Sequence, residues 1–304
     1  MKLIVPVVGI VGGMCFGSLG ILPLLNSASS SDGHRVVAQK PIISSATQLA
    51  ATKLEVAGDD STDQPADTES TLRRKIEMLE QGADFLKLKT DYTGRIFKQE
   101  VVKGELLDEQ VIFLKCRQKP FSVYLVWEAG DVGREVIFIK GQNDDKMIAH
   151  DGGWKARIPA FTLPVDCALV MRDARYPVTC AGLMGLIDTM LGVHRDDLNK
   201  SNVASCVMES GQEVEGRPCW MFTTRYKSKD ESQVYRKSVT LIDQEWNLPL
   251  RSQHFEWPRP GVELAEAELD NETIIESYLF SDVKFDQNLT DRDFDRTNSD
   301  YKFH

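Results

Sequence analysis

The chain has 304 residues, of which 42% are hydrophobic and 27% are charged, and this composition excludes a chain that is disordered throughout, because it is that of a protein with a buried core. The formal net charge is -10, from 36 basic and 46 acidic residues. It argues against a nucleic-acid partner, since neutralising phosphates requires clustered Lys and Arg.

The first predicted element is an export signal. Lys2 precedes an almost unbroken apolar run over residues 3–25, and small or polar residues follow the run. This order is typical of a signal peptide. We interpret residues 1–29 as a signal peptide cleaved near Ala28 or, because the run approaches the ~20 residues needed to span a bilayer, as an N-terminal membrane anchor. Either alternative predicts an exported domain that is periplasmic, secreted, or anchored through residues 3–25 and facing the periplasm.

Residues 30–69 are predicted to be a disordered linker. The segment is rich in Ser, Thr, Ala and Asp and contains no aromatic residue. Such a composition cannot bury enough apolar surface to offset the entropy lost on ordering. The predicted organisation is therefore a leader over 1–29, this linker, one domain over 70–290 and an acidic C-terminal tail over 291–304.

Within the predicted domain, the hydrophobic period changes between helix and strand. A helical period predicts an amphipathic helix over 70–87, and a second apolar stripe predicts a helix that begins at Thr179 and extends to about 191. Alternating runs separated by turn formers predict antiparallel strands over residues 92–102, 109–117, 121–128, 134–140, 146–150, 202–209, 217–226, 234–243, 248–257 and 272–285. Residues 161–198 are predicted to be helical or irregular.

The order of several short blocks carries a resemblance to a known family. These blocks are Asp91-Tyr92-Thr93-Gly94, Gly104-Glu105-Leu106, Pro120-Phe121-Ser122-Val123-Tyr124, His150-Asp151-Gly152-Gly153-Trp154-Lys155 and Arg175-Tyr176-Pro177-Val178-Thr179. Over residues 72–286 the chain resembles exported planctomycete proteins known as domain of unknown function fifteen-seventy-one. More distantly, Leu248-Pro249-Leu250-Arg251 and residues 278–285 are similar to the LolA-like carriers and sensors of lipoproteins and lipids.

The LolA-like resemblance implies an α+β fold, with a large curved antiparallel sheet that forms an unclosed barrel and helices that cover it. It also implies that the concave side binds acyl chains. We therefore expect a non-catalytic envelope protein that binds a lipid, a lipoprotein or another apolar ligand, without a cofactor. Two alternatives remain open: an envelope scaffold or protein-interaction module with a packed interior, and a hydrolase that uses His150 and Asp151.

Strand alternation predicts which side chains would face a ligand hollow. On the strand at 121–128 the uniformly apolar set is assigned to the inner face, and on the strand at 217–226 the set without Thr223 and Arg225. The two helices would form a lid. The predicted ligand-binding residues are Phe121, Val123, Leu125, Trp127, Trp220, Phe222, Leu79, Leu86, Leu183 and Ile187. The same residues would fill a solid core if no hollow exists.

The usual catalytic motifs are missing from the sequence, which contains no GxSxG, HExxH or P-loop. The most site-like cluster is His150-Asp151 beside Trp154, because histidine titrates near neutral pH. The alternative is a turn around Gly152-Gly153 in which His150 and Asp151 bond to the backbone.

No metal site is predicted. Asp291, Asp293 and Asp295 have the spacing that begins a calcium-binding loop, but Arg296 stands where that loop requires glycine. The sequence also lacks CxxC and any Cys/His cluster suited to zinc.

Six cysteines are present, and removal of the leader would leave five. Cys206 and Cys219 flank the turn-rich residues 210–213, so a hairpin centred there would place them opposite each other, and an oxidising compartment would favour a disulfide. The alternative is that all five are reduced core residues.

Overall fold

The computed structural model describes residues 67–303. The predicted leader and nearly all of the predicted linker lie outside this part of the chain, so both stay predictions. None of the helices found between residues 67 and 303 is long and apolar enough to span a membrane.

Residues 67–303 form three α-helices and twelve strands, and each of the ten predicted strands is present. The elements in chain order are α1 Thr68–Lys87, β1 Asp91–Val102, β2 Glu105–Leu106, β3 Gln110–Arg117, β4 Ser122–Ala129, β5 Glu135–Ile139, β6 Lys146–His150, β7 Phe161–Pro164, α2 Gly182–Lys200, β8 Val203–Val214, β9 Arg217–Tyr226, β10 Lys237–Asp243, β11 Pro249–Phe255, α3 Glu266–Thr273 and β12 Ile274–Phe285. The strands β2 and β7 and the helix α3 are not predicted from periodicity, because each is too short to show a period. The strand β7 lies at the start of residues 161–198, where the prediction of helical or irregular structure is wrong.

All the strands belong to one antiparallel sheet. Its order is β7-β6-β5-β4-β3-β1-β12-β11-β10-β9-β8, and β2 pairs with the end of β1. The outer strands β7 and β8 are not paired with each other within the described residues, so the sheet is not closed into a barrel. The predicted fold class, α+β with a large unclosed antiparallel sheet and covering helices, is therefore confirmed.

The inner face of the sheet, defined as the face that packs against α1 and α2, carries the larger hydrophobic core. Val123, Leu125 and Trp127 of β4 contribute to this core, as the alternation predicts. Helix α1 packs on α2 and β8. Close packing of α1 requires Gly82, because a Cβ there would lie 2.2 Å from the carbonyl oxygen of Asn247.

The C-terminal segment covers the outer face of the sheet, so the prediction of an acidic tail is wrong for residues 291–303. Three aromatic side chains of this segment pack against β4, β5 and β6 in a second buried cluster: Tyr124, Ile137, Ile139, Ile148, Phe294, Tyr301 and Phe303. Asp293 bonds to the Thr290 backbone and to Lys115 Nζ at 2.7 Å. Periodicity missed this packing because the segment is irregular and its aromatic residues are unevenly spaced.

The hairpin of β8 and β9 does not form the predicted disulfide. Its turn lies at Glu215-Gly216, both with positive φ, a pairing typical of two-residue hairpin turns. This register places Cys206 opposite Thr224 and Cys219 opposite Gln212, and both thiols are free. Cys206–Cys219 is therefore a wrong pairing, because the strand continues through the residues interpreted as its turn.

Candidate functional site

A cavity of about 180 Å³ lies between the inner face of the sheet and α2. An engineered apolar cavity of about 150 Å³ is large enough to bind benzene, so this one can hold a ring or a short chain segment. Most of its lining is apolar: Ile96, Ile112, Leu125, Trp127, Val136, Met147 and Phe280 from the sheet, and Val170, Leu186, Met190 and Val193 from the segment that covers it. We call it the inner cavity.

Tyr92 of β1 fixes the start of α2, which forms the roof of the cavity. The Tyr92 hydroxyl accepts a hydrogen bond of 2.8 Å from the backbone N–H of Leu183. Gly182 has a φ of +86°, and a Cβ there would lie 2.4 Å from that hydroxyl. Glycine is therefore required where the roof helix begins.

Two of the ten predicted ligand-binding residues, Leu125 and Trp127, line the inner cavity. The other eight, all within the described part of the chain, lie elsewhere. Phe121 and Trp220 are partly buried against the core, and the remaining six are fully buried in it: Val123, Phe222, Leu79, Leu86, Leu183 and Ile187. Alternation assigned the correct face, but it cannot show where packing leaves a gap.

The inner cavity ends at a buried carboxylate, Glu276 of β12. Its oxygens accept hydrogen bonds from the hydroxyls of Tyr176 and Tyr235, each at 3.1 Å, and from His254 Nδ1 at 2.7 Å. Arg175 Nε lies 3.1 Å away. Burial alone would raise the pKa of Glu276, but the hydrogen bond and charge of His254 and the charge of Arg175 lower it to about 2. Glu276 is therefore ionised at neutral pH.

A second carboxylate, Glu100 of β1, lies beside Glu276. The hydroxyl of Tyr278 donates to Glu100 at 2.5 Å, and Lys98 Nζ lies 3.1 Å from it. Burial and the charge of Glu276 raise the pKa of Tyr278 far above its usual value, so that hydroxyl keeps its proton. These residues meet because β1 and β12 place Glu100 opposite Glu276 and Lys98 opposite Tyr278.

A third polar group, also at this end of the cavity, joins α2 to β9. His194 Nδ1 lies 3.2 Å from Asp197 Oδ2, which also accepts a 2.9 Å hydrogen bond from the Tyr226 hydroxyl. Burial and the nearby charge of Lys75 lower the pKa of His194 to about 4, although Asp197 opposes this shift. His194 is therefore neutral at physiological pH.

At the opposite end the inner cavity adjoins an open vestibule of about 710 Å³. The two spaces share Arg134, Met147, Val170 and Asp173 as lining residues. Arg134 lies over the Trp127 ring at 5.1 Å and is 3.3 Å from Asp131. The vestibule is therefore directly beside the inner cavity.

The predicted His150-Asp151 pair is not assembled. The His150 ring packs beside Phe303 on the outer face, and its Nε2 lies 3.2 Å from the carbonyl oxygen of Ala156. Asp151 instead lines the vestibule with the exposed Trp154. His150 is the last residue of β6 and faces outward, whereas Asp151 lies beyond the end of the strand, which separates the two side chains. Among residues 67–303, no group of three or more potential ligands is placed to hold a metal ion.

Sequence reasoning missed the polar end of the cavity. One signal was present: on β1 the same-face series Ile96, Lys98, Glu100 changes from apolar to polar, and on β12 Phe280, Tyr278, Glu276 does the same. Two buried strands that become polar toward the same end indicate a polar site there. Their pairing, however, is known only from the fold.

Comparisons with known proteins place the chain among proteins without an assigned activity. The model of a family described as "Protein of unknown function (DUF1571)" matches residues 89–303. No curated protein matches the chain.

Three solved structures illustrate the similarity in fold. Lipoprotein LppX of Mycobacterium tuberculosis is 11% identical, with a TM-score of 0.40, and the match covers 72% of this chain and 98% of that one. A putative outer membrane lipoprotein-sorting protein domain of Vibrio parahaemolyticus is 9% identical, with a TM-score of 0.33 and coverage of 74% and 97%. A LolA superfamily protein of Nitrosomonas europaea is 10% identical, with a TM-score of 0.21 and coverage of 72% and 96%. All three scores are low, and the function proposed below depends on the cavity alone.

Proposed function

The chain belongs to DUF1571, a family of proteins of unknown function, and from its site we propose that it is a non-catalytic binding protein for a lipid or another largely apolar molecule. One observation carries the proposal: an apolar cavity lies between the sheet and α2 and adjoins an open vestibule. A cavity lined mainly by apolar side chains, with a few polar groups at one end, is typical of sites for small apolar ligands.

The lining of the inner cavity extends across several strands of the sheet. Lining residues run from Met147 on β6 to His254 on β11, which are six strand spacings apart. At about 4.8 Å per spacing this path is roughly 29 Å along the sheet. Each methylene buried in the cavity contributes about 0.8 kcal/mol, so burial would stabilise the short chain segment that about 180 Å³ can hold.

The polar end supports binding rather than turnover. A general base works best with a pKa near the working pH, whereas the pKa of His194 is about 4 and that of Glu276 about 2. Both groups are also fixed by hydrogen bonds to neighbouring side chains. Their chemistry suits the positioning of a ligand.

The proposed setting is the cell envelope. It depends on the sequence of residues 3–25, which is typical of an export signal. In that setting the ligand would be a membrane lipid or the acyl chains of a lipoprotein. The alternative of an envelope scaffold would need a packed interior, and the cavity favours the binding protein.

The experiment fills the inner cavity from its roof. Leu186 lines the cavity and is half-buried, so Leu186→Trp would occupy the space without burying a charge. The control is Met184→Trp on the same helix, at a half-buried position that packs on the core and does not line the cavity. Wild-type protein purified from membranes is analysed by native mass spectrometry and lipid extraction, with binding of the uncharged fluorescent probe N-phenyl-1-naphthylamine as the binding assay.

We expect lipid with the wild-type protein and with Met184→Trp, and none with Leu186→Trp, whose thermal melt should stay cooperative. A wild-type protein that carries no lipid and does not bind N-phenyl-1-naphthylamine would contradict the proposal. So would full binding by a folded Leu186→Trp variant.

A further inference from the structure

The hydroxyl groups that line the polar end of the inner cavity already donate their protons in hydrogen bonds to other residues. Tyr176 and Tyr235 donate to Glu276, and Tyr278 donates to Glu100. A tyrosine hydroxyl has one proton to donate and two lone pairs to accept. Toward the cavity these three oxygens therefore offer acceptor capacity.

The same holds for the neighbouring polar group and for the roof. Tyr226 donates to Asp197, and the neutral His194 places Nδ1–H toward the same carboxylate, which leaves its Nε2 as an acceptor. The Thr189 hydroxyl donates to the carbonyl oxygen of Gly185 at 2.8 Å. Five hydroxyls and one imidazole of the lining can thus act toward the cavity as hydrogen-bond acceptors.

The cations at this end are paired already. Lys98 Nζ lies 3.1 Å from Glu100, and Arg175 Nε lies 3.1 Å from Glu276. Both carboxylates are almost fully buried. An anionic group placed here would have to compete with Glu100 and Glu276 for cations that they already hold, and burying a charge without a partner is unfavourable.

We propose that the inner cavity selects an uncharged, largely apolar ligand whose polar group is a hydrogen-bond donor, such as a hydroxyl or an amide N–H, over one that ends in a carboxylate or a phosphate. This inference depends on the proposed function and names the ligand class. A ligand with a donor meets free acceptors, whereas a ligand that can only accept leaves those acceptors without partners.

Three probes with the same ten-carbon chain separate the two proposals. They are 1-decanol, which has a donor, decyl methyl ether, which can only accept, and decanoate at pH 7.5, which is charged. Each is titrated against the full chain with N-phenyl-1-naphthylamine bound as a displaceable fluorescent reporter. We expect decanol to bind about tenfold more tightly than the ether, the effect of one net hydrogen bond, and decanoate to bind more weakly than decanol.

The outcomes are distinguishable. If no probe displaces the reporter, the proposed function fails, and the inference fails with it. If the ether binds as tightly as decanol, the apolar-binding function stands and the donor selectivity is wrong. If decanoate binds as tightly as decanol, its carboxylate is accommodated, for example near Arg134 at the vestibule, and the selectivity is again wrong.

Conservative variants locate the effect at the acceptors. Among Tyr176→Phe, Tyr235→Phe and Tyr278→Phe, at least one should reduce the affinity for decanol to that for the ether and leave the ether affinity unchanged. Tyr124→Phe is the matched control, because Tyr124 is also buried and donates to a carboxylate, Glu135, on the outer face. Wild-type selectivity in all three folded cavity variants would overturn the assignment.

Discussion

Lys75 on α1 is a buried cation without a hydrogen-bond partner. Its side chain is fully buried, and its Nζ has no partner among the described residues. The Nζ lies 6.0 Å from the centre of the Phe222 ring. Burial lowers the pKa of Lys75 to about 8, although electrostatic interactions with Cys206 and Asp197 oppose the shift. Burial of this ammonium group therefore lowers the free energy of unfolding.

The size of this destabilisation follows from the pKa of Lys75. A lysine with a pKa of about 8 in the folded state and about 10.4 in the unfolded state binds fewer protons when folded between these values. The free energy of unfolding therefore rises with pH across this window. At about 1.36 kcal/mol per pKa unit, charging Lys75 costs about 3 kcal/mol at pH 7. Lys75→Met, which nearly keeps the length of the side chain, should increase the free energy of unfolding by up to that amount.

Urea denaturation of the wild type and of Lys75→Met at pH 7 and pH 9.5 tests this. The stability gained by the variant should be about 3 kcal/mol at pH 7 and about half of that at pH 9.5, because the wild-type lysine is then mostly neutral when folded. Lys87→Met on the exposed side of the same helix is the control and should change stability by less than about 0.5 kcal/mol. A variant less stable than the wild type at pH 7, or a gain that is independent of pH, would refute the reasoning.

Two further predictions concern the C-terminal segment and the leader. Phe303→Ala should lower the free energy of unfolding by about 3 kcal/mol, because Phe303 is buried on the outer face. The control is Lys302→Ala at the exposed neighbouring residue, and both variants are measured by denaturant unfolding. Equal stability of the two variants would contradict this packing. Full-length protein should appear in the envelope fraction of its host, because residues 3–25 form an apolar run. Recovery of the protein from the cytosol with residues 1–29 intact would refute export.

Much of the fold could be predicted from the sequence because its signals are local. Alternation on β4 assigned Leu125 and Trp127 to the inner face, and a helical period found α1 within two residues of its observed start at Thr68. These patterns depend on which side chains avoid water, a property that neighbouring residues reveal. The same local patterns did not show that residues 291–303 cover the outer face of the sheet.

Register and packing could not be predicted in the same way. The pairing of Cys206 depended on whether the chain turned at 210–213 or at Glu215-Gly216, and the strand in fact continues to Val214. Both segments contain turn-forming residues. The choice between them depends on the whole sheet, since a shift in register changes every cross-strand contact.

The candidate site was decided by tertiary structure. Tyr176 and Glu276 are 100 residues apart in the chain, and their hydrogen bond forms only because the segment before α2 crosses β12. The sequence determined a large antiparallel sheet and its inner face, and its apolar run over residues 3–25 predicts an export signal. Only the packed fold decided that Leu125 borders a cavity while Val123 is solid core, because a cavity is the space that many distant side chains together leave unfilled.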